Sequence, residues 1–373
     1  MKIQVVPATD LSQEHVAAWD RLQQSDPTTV HPFFRPEFTG LAALECPGVE
    51  VAVLKQAGEY VGFFPYQREP KGIGRAVAWQ MSDMHGVVLR PGASVDAKVL
   101  LRGAGLRAWH FDHVPAGQET FQRFFRCVDD SYYMDVSRGY DHYHRERRRA
   151  GASLISQASR KSRKLAREVG RLRFELHGAD ARLIEALVGW KRDQLRRQGG
   201  VDTFRLPWVA PLLGRVAAQQ SSLFAGVLSA LYAGETLVAV HLGVRSGPEL
   251  CSWVPAYNAA FAKYSPGVIL HLELAKSAPG EGIKRIDLGR GENPMKLGLK
   301  SGASPVAIGS VERRPLGAVW TAGWYGARAL AHASPLCRAP LRAFRRVRAM
   351  LAGSRARGRS APVKSSLQKP GWR

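Results

Sequence analysis

Acidic residues give out before the chain does: no Asp or Glu occurs from Pro315 to Arg373. Cysteine is scarce too, with Cys46, Cys127, Cys251 and Cys337 far apart and never in CxxC spacing. That scarcity argues against a structural zinc site and a disulfide framework, and it fits a reducing compartment. No run of 18 or more apolar residues occurs, which argues against a membrane-spanning helix, and the opening "MKIQVVPATDLSQEH" lacks the apolar core of a secretory signal. A cytoplasmic protein is expected. GxxxxGK[ST], HExxH, GxSxG and any Cys/His ligand cluster are also missing. No metal site is expected, and the commonest phosphate-loop, zinc-hydrolase and serine-hydrolase chemistries are set aside.

What is present is a globular composition of 373 residues, 45% hydrophobic and 23% charged, with a formal net charge of +23. Much of that charge lies in "YHRERRRAGASLISQASRKSRKLAREVGRLRF" (143–174) and in the acid-free tail. Such segments are either solvated helix faces or sites for nucleic acid, anionic lipid or phosphorylated small molecules. In the tail, Leu341, Phe344, Val347 and Leu351 recur at helical spacing opposite arginines, which suits a helix over 335–360 on an anionic membrane surface or docked on the domain.

Periodicity predicts a mixed α/β chain. A strand, two helices and paired strands occupy residues up to "GRAVAWQMSDMHGVVLRPG", itself strand-like, and "LLRGAGLRAWHFDHVP" reads as helix then buried strand. Helical segments at 143–172 and 180–199 follow, then three strands over "SLFAGVLSALYAGETLVAVHLGVRSGPELCSWVPAYN", a helix from Pro266, and "IKRIDLGRG" as a last buried strand. The chain thus reads as a helix-plus-meander unit twice over.

Ser265 before Pro266 predicts an N-cap, and Gly267 leaves the first helical turn bare, so an anion could meet backbone donors there. Strand alternation places Ala239, His241, Gly243 and Arg245 on one face of "LVAVHLGV", and Ile283, Arg285, Asp287 and Gly289 together on the last strand. With Trp253 and Tyr257 at the exit of the preceding strand, these residues are expected to converge on one cleft. His241 and Asp287 are the candidate bases; either also reads as a structural residue.

In order and spacing, His241, Trp253, Tyr257, Tyr264-Ser265-Pro266-Gly267, Asp287-Leu288-Gly289-Arg290-Gly291 and Lys296 resemble the signature of CelD-like (BioF2-like) acetyltransferases of the GNAT superfamily. These are relatives of the Fem-type peptidoglycan aminoacyltransferases and are associated with cellulose and other exopolysaccharide production. The resemblance spans about 145–310 most strongly, and "AKYSPG" is a reduced form of the glycine-rich GNAT loop. It implies two tandem GNAT-like lobes: a degenerate lobe over 1–142, an acyltransferase lobe over 143–314, and a basic helical tail over 315–373. It further implies acetyl-CoA or another acyl-CoA as co-substrate, with Tyr264, Ser265, Pro266, Gly267 and Val268 receiving its pyrophosphate and pantetheine. Asp287 or His241 would be the base for N-acylation of a sugar-containing, lipid-linked acceptor. Trp253, Tyr257, Lys296, Lys300, Asp83 with His85, and the basic residues Lys161, Arg163 and Lys164 would bind that acceptor, at the inner face of the cytoplasmic membrane. Alternatives are an aminoacyl-tRNA-dependent Fem-like transferase and a non-catalytic scaffold of a polysaccharide-synthesis complex.

Overall fold

The computed structural model describes residues 1–180 and 182–313. In chain order they form β1 (Lys2–Pro7), α1 (Gln13–Ser25), α2 (Pro36–Glu45), β2 (Val49–Gln56), β3 (Glu59–Glu69), β4 (Ile73–Arg75), β5 (Val88–Leu89), α3 (Ala97–Gly103), β6 (Ala108–Pro115) and β7 (Phe125–Asp135). There follow α4 (Tyr140–Arg149), α5 (Ser153–Glu168), β8 (Leu172–Glu175), α6 (Arg182–Arg197), α7 (Val209–Ala217), β9 (Ala225–Ala233), β10 (Thr236–Ser246), β11 (Glu249–Tyr257), α8 (Pro266–Ser277), β12 (Arg285–Arg290), α9 (Pro294–Leu299) and β13 (Gly302–Glu312).

The strands share one sheet in the order β1-β2-β3-β4-β6-β13-β7-β12-β11-β10-β9-β8, with β5 on β3. Each half is an antiparallel meander that ends in one parallel pair, β4 with β6 and β11 with β12. The doubled meander read from the sequence is therefore present. The halves are knitted by an exchange: β7 follows β6 in the chain but pairs with β12, whereas β13 follows β12 but pairs with β6. β7 and β13 then pair antiparallel with each other at the centre. The largest apolar cluster draws Trp19, Phe33, Phe38 and Phe63 from the first half and Val240, Leu242, Val244 and Trp253 from the second.

Three local expectations are corrected. The run after β4 is not a strand: residues 76–87 cross the core irregularly, with Ala78 and Gln80 at positive φ, and are apolar because Val77, Met81 and Met84 pack into the large cluster. The long helix over 143–172 is two, α4 and α5, broken at Gly151 with φ +74°. "IKRIDLGRG" is followed by β13, and β7 also was not anticipated from the sequence. The tail expectations over 315–373 lie outside the described residues.

Candidate functional site

β11 and β12 pair only where Glu249, Leu250 and Cys251 face Arg285, Ile286 and Asp287. Beyond that point they part, and the edge of β11 from Ser252 to Tyr257 opens into a wedge. Two bulges accompany the parting. One puts an extra residue in β11 between the partners of Leu242 and Val244; the other puts Leu288 as an extra residue in β12 opposite β7. Gly289, at φ +78°, completes the second bulge, and its N–H donates to Asp287 Oδ1 at 2.7 Å.

α8 starts beside this wedge at Pro266, as expected, but Ser265 does not cap it. Ser265 sits in the left-handed region (φ +55°), and its hydroxyl accepts instead from Lys161 Nζ of α5 at 2.8 Å. Pro266 has no N–H and Val268 N–H already donates to Ser265 O, so Gly267 offers the first free backbone donor of the turn. A Cβ on Gly267 would lie 3.7 Å from the Tyr257 ring, so Tyr257 borders the same spot. Further along the turn His271 Nδ1 lies 2.7 Å from Gly267 O, and its Nε2 lies 2.9 Å from Ser252 Oγ. The carbonyl can only accept, so Nδ1 carries the proton and Ser252 donates to Nε2.

The opposite face of the sheet holds a polar cluster built from both halves. Asp287, buried, accepts from Ser131 Oγ at 3.0 Å and from Gly289 N–H, and its Oδ2 lies 3.5 Å from His31 Nε2. Burial pushes its carboxyl up, but the His31 contact and the Gly289 N–H outweigh it and hold the group below the usual range. Asp83, from residues 76–87, lies with Oδ2 3.8 Å from Cys251 Sγ and Oδ1 3.9 Å from His113 Nε2. Burial and the Asp287 charge push its carboxyl up, against the pull of His113. Lys296 donates to Gly289 O at 3.0 Å and Arg290 O at 2.7 Å, and burial lowers its ammonium despite both carboxylates. A half-buried and a buried carboxylate driven in opposite directions are the arrangement that separates an acid from a base.

The first half contributes through a bulge in β6. Val114 and Phe111 face Ala307 and Gly309 of β13, so Asp112 and His113 share the irregularity. Both of their N–H groups donate to His85 Nε2 at 3.1 Å. That ring therefore carries its proton on Nδ1, and burial pushes it down to about 3. His85, expected to line an acceptor cleft, instead pins the bulge that turns Asp112 and His113 inward. Asp112 Oδ1 lies 2.9 Å from His113 Nδ1, and its Oδ2 3.8 Å from Arg290. Burial raises the Asp112 carboxyl, but His113, His85 and Arg290 bring it down to about 2.

The expected single cleft is thus divided by the sheet. His241 pairs with Pro255 and meets the His271 ring edge-on at 5.7 Å on the α8 face, whereas Leu242 and Val244 share the other face with Cys251 and Asp287. His241 is fully buried with neither nitrogen partnered, and burial pushes it far down, so it is neutral. Trp253 belongs to the Asp287 side, where it donates to Met81 O and packs on Phe33 and Phe38. Tyr264 is not at the wedge: its ring is in the apolar cluster under α5, and its hydroxyl donates to Glu168 at 2.6 Å. Lys300 lies 4.2 Å over the Tyr132 ring, and Arg163 and Lys164 are exposed on α5. His31, Asp112, His113 and Ser131 were missed. In "HFDHVP" the adjacent polar pair breaks strand alternation, the one signal in the sequence that marks a bulge.

With this geometry in view, residues 152–297 match the family model described as an acetyltransferase (GNAT) domain. No curated protein matches the chain. Among solved structures, FemX is similar at 9% identity, with 86% of this chain and 99% of that one covered and a TM-score of 0.54. L-PGS from Bacillus licheniformis is similar at 10% identity over 83% of this chain and 94% of that one, with a TM-score of 0.51. The chain has a mixed α/β, GNAT-like fold, and over residues 152–297 it is similar to the acetyltransferase (GNAT) domain.

Proposed function

We propose that the protein is an acyltransferase that moves an acyl group from acyl-CoA, acetyl-CoA in the simplest case, to an amine of a sugar-containing, lipid-linked acceptor. The observation that carries this reading is the parting of β11 and β12 beside the start of α8. There the free edge of β11 can pair with an extended pantetheine amide, and Gly267 N–H with Lys161 can take a pyrophosphate. Residues 143–314 act as the donor lobe. Residues 1–142 cover the opposite face, where Asp83, Asp287 and Trp253 surround the acceptor and Lys296 and Lys300 attract an anionic one. Attack of the amine on the thioester requires orientation, proton removal and oxyanion stabilisation.

The acceptor's link to exopolysaccharide rests on the resemblance of the motifs. A membrane-bound acceptor also fits the exposed cations Arg145, Arg148, Arg149, Arg160, Arg163, Lys164 and Arg167 of α4 and α5. Among the described residues no helix is long and apolar enough to cross a membrane, so contact would be peripheral. Deleting 335–373 is expected to weaken binding to anionic liposomes; unchanged binding sinks the part given to the tail. The same basic face supports a second reading, with aminoacyl-tRNA as donor, which RNase treatment would abolish.

Calorimetry with acetyl-CoA tests the donor assignment. Wild type is expected to bind at micromolar Kd, and Gly267→Glu, which sets a carboxylate over the first turn of α8, is expected to lose that binding. No binding by wild type rejects acyl-CoA and favours the tRNA or scaffold reading.

A further inference from the structure

We propose that Asp112 and His113 form the proton-accepting dyad of the transfer, with His113 Nε2 taking a proton from the acceptor amine; this rests on the acyltransferase reading above. The two residues interrupt a strand whose neighbours, Phe111 and Val114, are core. A bulge pinned by a second histidine, His85, turns them toward the other half. Asp112 Oδ1, 2.9 Å from His113 Nδ1, accepts the proton of that nitrogen, which leaves Nε2 as the basic nitrogen of the neutral ring.

His113 Nε2 is 3.9 Å from Asp83 Oδ1, too far for a hydrogen bond. An atom set to one side of that line can approach both within about 2.9 Å. The other oxygen of Asp83 is 3.8 Å from Cys251 Sγ, and Cys251 is the last paired residue before the wedge opens. Asp83 thus stands between His113 Nε2 and the apex where a thioester in the wedge would end.

The competing bases are occupied. Both oxygens of Asp287 have partners, Nε2 of His85 accepts two N–H groups, His31 Nε2 faces Asp287, and His241 is across the sheet. The charged and titratable groups facing the dyad are Asp83, His85 and, from β12, Arg290; Lys296 faces Asp83 from α9.

In the step, the amine nitrogen attacks the thioester carbon and a C–N bond forms as the carbonyl oxygen takes up charge. The nitrogen's proton passes to His113 Nε2, and Asp112 balances the imidazolium. Collapse breaks the C–S bond, and the departing thiolate takes the proton back, giving amide and free thiol with the dyad restored.

The test measures thiol release from acetyl-CoA with glucosamine as probe amine, across pH, alongside calorimetric binding of acetyl-CoA. His113→Gln is expected to keep donor affinity within about twofold, to slow release on the order of 100-fold, and to flatten the acid limb of the pH–rate profile. Asp112→Asn, a milder change should His113→Gln fail to fold, is expected to keep donor affinity and to slow release about tenfold or more, since the amide neither holds the proton on Nδ1 nor balances the imidazolium. Donor binding with rate and profile unchanged in His113→Gln would overturn the proposal while sparing the donor reading. Wild type that binds acetyl-CoA yet releases no thiol to the amine at any pH overturns it too. Wild type that binds no acetyl-CoA overturns both.

Discussion

Lys161 Nζ donates to Ser265 Oγ across 2.8 Å, so the basic helix α5 delivers a cation to the first turn of α8. Two positive ends, an ammonium and a helix N-terminus, meet there over a neutral hydroxyl. An anion relieves that arrangement. Lys161→Ala is therefore expected to weaken acetyl-CoA binding about tenfold, the value of one charge-assisted hydrogen bond at roughly 1.4 kcal/mol, without lowering the melting temperature. Calorimetry with equal affinity for variant and wild type would return Lys161 to a solvated surface role.

Asp83 and Asp287 predict opposite pH slopes. The Asp83 carboxyl is raised on folding, so its contribution is complete below the ordinary carboxylate pKa and fades as pH rises through the folded value. Asp83→Asn should raise stability near pH 7, with no gain below about pH 4. The Asp287 carboxyl is lowered, so its contribution is present above the ordinary value and lost as pH falls through the folded one. Asp287→Asn should therefore destabilise near pH 7 and matter little in acid. Urea titrations at pH 7 and at pH 3.5 that gave both variants the same sign would refute this pairing.

Arg35 anchors the segment that presents His31 and Phe33. It is 1% exposed, with Nη2 at 2.7 Å from Asp20 and 2.6 Å from Glu37, and Nη1 at 3.1 Å from Gln23. Removing the guanidinium leaves Gln23 and two half-buried carboxylates, 20% and 28% exposed, without their partner, so Arg35→Ala should cost about 2–3 kcal/mol by denaturant unfolding. A loss under about 1 kcal/mol would mean that water replaces the guanidinium.

His241 is buried without a hydrogen bond to either nitrogen. An apolar side chain of similar bulk removes that unmet demand. His241→Leu is expected to leave acetyl-CoA binding and thiol release intact and to stabilise the fold by about 1–2 kcal/mol. Loss of turnover with the fold preserved would restore His241 as a catalytic candidate.

Some of this was legible in the sequence because it is local. Ser265-Pro266-Gly267 starts α8 because proline fixes φ and lacks an N–H, and the meanders follow period-two alternation. The chain's own residues thereby determined the doubled unit, the helix start and the wedge-forming strands. What only the tertiary structure decided was partnership. The exchange of β7 and β13 depends on pairing between strands far apart in the chain, which no local pattern encodes. The division of His241 from Asp287 depends on which sheet face each half covers. Asp112 and His113 are turned inward by a bulge whose N–H groups bind a histidine 27 and 28 positions away. Side-chain alternation is set by neighbouring backbone geometry, whereas a site assembled across two halves is set by the packing that brings them together, and that packing is where this protein's candidate chemistry resides.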